Sequence, residues 1–185
     1  MAVTRLAIAD EAVYFQVCHQ LIERCAESAS GDAACRMAWV CLLSNQSYDH
    51  VLDLGDLTRR GEGESQKMSH SMIVRGAQLA RIGKFEDAYK ILNEAYVLAE
   101  GVDLARAWLF LAVVEHHLNH EEQAVRRLAQ CTTWMRRYCN TNPKLPANLR
   151  SSIPWLVRLE LTLLHKEVQT LIGAAKPKSK MGKIP

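Results

Sequence analysis

The sequence predicts an all-α protein, a stack of about eight antiparallel helices closed by a C-terminal capping helix. Three observations carry this expectation. Apolar residues recur every three or four positions through most of the chain. The nine Gly and five Pro fall mostly at segment boundaries. Two consecutive helix-turn-helix units between Ser69 and Cys131 repeat one order of large, small and turn residues. At 185 residues, 49% of them hydrophobic, the chain suits one domain with a continuous core.

Taken in order, residues 1–9 carry little punctuation and are expected to form a flexible N-terminus. Residues 10–66 read as degenerate helical repeats. From Asp10 a helix runs to about Ser28, with Val13, Val17, Leu21 and Ile22 as its apolar stripe, Tyr14, Phe15 and Cys25 beside it, and Glu11, Gln20 and Glu23 facing water. SASGD makes a turn, and Asp32 is placed to cap the next helix. That helix is apolar on nearly every face through Met37, Trp39, Val40, Leu42 and Leu43, which suits the middle of a stack. A shorter helix follows, capped by Ser47 or Asp49, burying Val51, Leu52, Leu54 and Leu57 and with Gly55 at its small site. RGEGESQK then makes a polar loop.

Residues 67–140 hold the two clear repeats. In the first, Met72, Ile73, Leu79 and Ile82 recur at helical spacing, and Gly76 and Ala77 leave room for a neighbouring backbone. Gly83 ends that helix, since a residue without Cβ takes the left-handed cap conformation at no steric cost. The chain restarts at Phe85, and Ala88, Leu92 and Ala95 form one stripe widened by Tyr89, Tyr96 and Leu98. The second unit has Trp108, Leu111 and Ala112, then Ala124, Leu128 and Cys131. Ala88 to Ala124 is a spacing of 124 − 88 = 36 residues.

This pattern resembles the tetratricopeptide repeat, whose period is about 34 residues. The matching residues are Gly76, Leu79, Gly83, Phe85, Ala88, Leu92 and Ala95, then Trp108, Leu111, Ala112, Ala124 and Leu128. The two extra residues fit the link around Gly101. Met72 and Arg75 depart from the family's Trp and Leu, Glu115 sits where an aromatic is usual, Asn119 stands in place of Gly83, and Glu100 replaces the closing Pro. The resemblance implies a TPR-like right-handed superhelical stack.

Residues 141–173 read as a loop and a capping helix. Asn140, Asn142, Pro143 and Pro146 break the chain, Ser151 or Ser152 caps the last helix, and Pro154 enters its first turn. Trp155, Leu159, Leu163 and Leu164 are its expected buried side, with Gly173 as its stop. A solenoid needs such a lid, because its last repeat otherwise exposes an apolar face. Residues 174–185, with Lys176, Lys178, Lys180 and Lys183, form a basic tail expected to be disordered.

The order of YFQVCHQLIERC, AWVCLL, GKFEDAYKILNEA, ARAWLFLAVVEHHLNHEEQAVRRL and PWLVRLELTLLHKEVQTL resembles the C-terminal repeat region of bacterial eukaryote-like Ser/Thr protein kinases. That resemblance implies a regulatory or docking module. The chain carries no GxGxxG loop, HRD segment or DFG, so phosphoryl transfer is not expected of it.

In tetratricopeptide folds the first helices of successive repeats line a concave groove. The resemblance implies groove positions at His70, Ile73, Ala77 and Arg81 in one repeat and Arg106, Leu109, Val113 and His117 in the next. Arg81, Arg106 and His117 suit an extended segment bearing a carboxylate or acidic side chains. Ile73 and Ala77 occupy sites where chaperone-binding members carry a polar clamp, so no such clamp is expected. The function read from this is a non-catalytic scaffold for a protein or peptide partner, with homo-oligomer formation left open.

Charge offers a second reading. Residues 1–100 hold 10 basic and 14 acidic side chains (−4), and residues 101–185 hold 13 and 6 (+7). Nucleic acid or an acidic partner could meet the Lys tail, Arg126 with Arg127, and Arg136 with Arg137. No aromatic is interleaved with the charges in the tail, which makes this the weaker alternative.

Neither cofactor nor metal is expected. His116 and His120 at i, i+4 could share an ion, with His117, Glu115 and Glu121 nearby, yet no third ligand is fixed by the sequence. Capping or partner contact is the simpler role for these histidines. Serines lack a paired His and acid, so no enzyme is expected. The six Cys (Cys18, Cys25, Cys35, Cys41, Cys131, Cys139) form no CxxC, and Cys18, Cys35, Cys41 and Cys131 fall where small apolar residues belong. Buried free thiols, the lack of an 18-residue apolar run and an N-terminus unlike a secretory signal give a cytoplasmic expectation, with no membrane partner.

Overall fold

The computed structural model describes residues 2–8, 10–25, 31–44, 54–55, 58–59, 68–140 and 152–174. Among the described residues the chain is all-helical, with α1 (Ala2–Ala7), α2 (Glu11–Cys25), α3 (Gly31–Cys41), α4 (Met68–Arg81), α5 (Phe85–Leu98), α6 (Gly101–His117), α7 (Glu121–Tyr138) and α8 (Trp155–Ala174). Leu54, Gly55, Thr58 and Arg59 are also helical.

The helices form a connected series. Helices α4 and α5 make one antiparallel hairpin, and α6 and α7 make the next. Helix α6 lies against both members of the preceding hairpin, and α8 lies against both α6 and α7. Helix α3 joins α4, α2 joins α3, and α1 bridges α2 to α8, so the N-terminus meets the last helix.

Local sequence explains the two hairpins. A Cβ on Gly76 would lie 2.5 Å from Leu92 Cγ, so α4 and α5 approach as closely as they do only because that atom is missing. Gly83 has φ +78°, and the Lys84 N–H donates to the Leu79 carbonyl at 2.9 Å to close the turn. The second turn repeats this geometry without glycine. Asn119 has φ 64°, and the His120 N–H donates to the Glu115 carbonyl at 2.7 Å. Asn tolerates the left-handed region because its short polar side chain compensates locally. Ala88, Ala95, Ala124 and Cys131 are fully buried, as nested pairs of helices require.

Several expectations are corrected. Residues 2–7 form α1 instead of fraying, because Ala2 and Val3 bury themselves in the core. Helix α2 buries Tyr14 and Cys18, whereas Val13, Val17, Leu21 and Ile22 are only half-buried. The Tyr14 hydroxyl donates to the Val40 carbonyl at 2.6 Å, which turns that face towards α3. Asp32 lies inside the first turn of α3, one residue past its start, and Asp10 Oδ1 accepts from the Val13 N–H at 3.4 Å at the head of α2.

Helix α8 differs most. Glu160, Leu161, Leu164, Val168 and Ile172 are its buried side, Leu159 and Leu163 are half-buried, and Trp155 is exposed. The helix continues through Gly173 to Ala174. The expected roles of Ser47, Asp49, Val51, Leu52 and Leu57, the loops at 60–67 and 141–151, and the tail from residue 175 lie outside the described residues.

Candidate functional site

The expected groove residues sit on α4 and α6, and α8 packs on α6 and reaches α4 through Arg81 and Glu167. Ile73, Ala77 and Leu109 are fully buried, and Val113 is nearly so. These four are apolar positions on first helices, so covering them removes apolar surface from water.

The cationic groove positions meet carboxylates of α8. Arg81 donates Nη1 and Nη2 to Glu167, the Nη2 bond being 2.9 Å, and Nε to the Leu42 carbonyl at 3.0 Å. Arg106 donates Nη2 to Glu160 at 2.7 Å and Nη1 to Asp103 at 3.1 Å. The Trp39 indole N–H donates to the same Glu160 oxygen at 3.0 Å, and the Arg106 guanidinium lies 4.6 Å from the centre of the Trp39 ring. His70 Nδ1 is 3.2 Å from Asp103 Oδ1. Helices α3, α4, α6 and α8 thus meet in one polar seam.

Asp103 shows the electrostatics of that seam. Burial pushes its carboxyl up, but the hydrogen bond and charge of His70 together with Arg106 outweigh burial and leave its pKa lowered. Asp103 therefore stays ionised and holds Arg106 towards Glu160. Both guanidinium groups are largely withdrawn from water, with side chains 9% exposed for Arg81 and 11% for Arg106.

At the C-terminal ends of α4 and α6 the face opens into a cleft of about 690 Å³. Arg81, Val113 and His117, three of the expected groove residues, line it together with Leu43, Phe85, Leu163, Lys166 and Glu167. His117 is exposed and stacks on Phe85, with ring centres 4.3 Å apart and planes at 10°. Partial desolvation, with neighbouring His116, lowers the His117 pKa and so disfavours the charged imidazole in the cleft. The cleft is large enough for several side chains and carries both apolar and polar walls.

The remaining candidates separate. His116 pairs with Glu121 at 3.1 Å, His120 lies edge-on to Tyr89, and no group of three potential ligands occurs among the described residues. Arg126, Arg136 and Arg137 are exposed. Arg127 is engaged by Glu115 at 3.4 Å and lies over the Tyr96 ring. Cys18, Cys35, Cys41 and Cys131 are buried free thiols, and burial pushes Cys131 up to about 12. Among the described residues no helix is long and apolar enough to cross a membrane.

Four residues of the seam are not legible as site residues from periodicity: Trp39, Asp103, Glu160 and Glu167. The available signal is the seven-residue interval between Glu160 and Glu167, which puts two carboxylates on one face, two turns apart, beside Leu164. Comparison with known proteins finds no matching family model, no matching curated protein and no matching solved structure.

Proposed function

We propose that this chain is a non-catalytic, tetratricopeptide-like scaffold that binds a segment of a protein partner. The fold component of this reading is supported by the way α6 rests on both α4 and α5, and α8 on both α6 and α7. The paired left-handed turns at Gly83 and Asn119 support it as well. The binding component rests on one observation: Arg81, Val113 and His117, drawn from corresponding faces of two repeats, share the wall of one open cleft.

The cleft suits an extended segment with apolar side chains seated between Leu43, Phe85 and Leu163. Arg81 has each of its guanidinium nitrogens engaged within the protein, so an acidic group on the segment meets Lys166 at the exposed rim. The test is capture from a native lysate by the immobilised full chain, compared with His117→Glu/Lys166→Glu. These exposed positions change the cleft without opening the seam. Loss of a retained protein in the variant is expected; unchanged retention of every captured protein removes the cleft as the binding site.

A further inference from the structure

Helix α8 displays what the groove recognises. It presents Glu160, Leu164, Glu167 and Val168 to α4 and α6, a carboxylate-Leu-carboxylate-Val face spanning just over two turns. Arg106 receives the first carboxylate and Arg81 the second. Leu164 and Val168 lie beside Leu109, Phe110 and Val113. Two arginines on separate repeats thus measure a fixed interval along a helix.

We propose that the groove is a receptor for an amphipathic helix of a separate protein, bearing two carboxylates seven residues apart on a Leu/Val face. In this proposal α8 is a built-in competitor for that site. The proposal rests on the scaffold reading and adds a second site to it, beneath α8 and distinct from the open cleft that takes the extended segment. Charge complementarity is the argument for this occupant. An ordinary capping helix needs only an apolar face, and burying two carboxylates demands desolvation that an apolar seam avoids. Ion pairs at a helical interface are best suited to fixing register and selecting the incoming helix. They also make α8 replaceable by a helix that presents the same two charges, because the Arg81 and Arg106 guanidinium groups and the Trp39 N–H that it leaves behind would again meet carboxylates.

The probe is a fluorescein-labelled peptide of residues 152–174, measured by anisotropy against the full chain and its Glu160→Gln/Glu167→Gln variant. The variant keeps the apolar face of α8 but loses both charges. It is expected to bind the peptide at least tenfold more tightly than wild type does. Adding Arg81→Gln/Arg106→Gln should abolish the gain, as should using a peptide that carries the two Gln substitutions. A folded variant with no gain overturns the proposal.

Should the variant fail to fold, hydrogen exchange on the wild-type chain decides. Helix α8 is expected to exchange as a unit ahead of α4 and α6, and protection equal to theirs overturns the proposal. A wild-type dimer in light scattering, lost in Arg81→Gln/Arg106→Gln, would make a second copy the occupant and overturn the assignment to a separate partner. Failure of the peptide arm with cleft-dependent capture intact removes only this inference; failure of both removes the scaffold reading.

Discussion

Gly76 and Asn119 show how single atoms set the hairpins. Alanine is the better helix former by about 1 kcal/mol, so an exposed Gly76 would favour replacement. Here the added Cβ meets Leu92 Cγ at 2.5 Å and Cδ2 at 2.6 Å, and Leu92 is fully buried. Overpacking of this kind costs about 1–3 kcal/mol. Gly76→Ala should therefore lower the thermal midpoint by several degrees, read by circular dichroism. Asn119 offers a contrast. Its φ of 64° is one that glycine takes freely, so Asn119→Gly should leave the midpoint nearly unchanged, whereas Asn119→Val should lower it because a β-branched residue is strained there. Equal midpoints for those two variants would remove the left-handed turn as the reason for the asparagine.

Helix α8 shows charge and hydrophobic period acting together: Leu161, Leu164, Val168 and Ile172 recur every three or four residues on its buried side, with Glu160 beside them. Its apolar residues alone admit more than one inward face, and Trp155, Leu159, Leu163 and Leu164 make a plausible one. The observed face is rotated to bring Glu160 and Glu167 against Arg106 and Arg81. Removing one partner of a buried pair costs about 3–5 kcal/mol, because a desolvated charge is stranded, while replacing both by apolar residues of similar volume is often neutral or stabilising. Arg81→Met should consequently destabilise the chain strongly, and Arg81→Met/Glu167→Leu should recover most of the loss in urea denaturation. A double variant as unstable as the sum of the singles would mean the two side chains do not act as a pair.

Among the described residues, two carboxyl groups, Asp103 and Glu115, are shifted in opposite directions and shape stability against pH. Asp103 has a folded pKa below its ordinary 3.8, so its contribution is present above pH 3.8 and is lost as pH falls through the folded value. Glu115 is 1% exposed, and burial raises its pKa above 4.5 despite the opposing charge of Arg127. Its protonated form is favoured in the fold, so that stability is present below pH 4.5 and is lost as pH rises through the folded value. Glu115→Gln should flatten the decline above pH 4.5, and Asp103→Asn should flatten the decline below pH 3.8. Thermal midpoints between pH 2.5 and 7 check both signs; a Glu115→Gln profile parallel to wild type would remove Glu115 as the source.

The amino-acid order alone was enough to locate α4 to α7, because a helical hairpin is written locally. Apolar spacing selects the face, a small residue permits close approach, and Gly83 or Asn119 supplies the reversal within a few residues. The resemblance to the tetratricopeptide repeat, not periodicity, singled out Ile73, Ala77, Leu109 and Val113 as groove positions, and all four are buried. Occupancy of that face was settled only when the chain closed on itself. Glu167 is 86 residues from Arg81, Glu160 is 54 from Arg106, and Trp39 is 121 from Glu160. A carboxylate enters a core only where a distant cation and indole N–H compensate its lost water, and no local pattern encodes where those partners will be. The fold thus turned an expected open groove into a seam, leaving a cleft at one end.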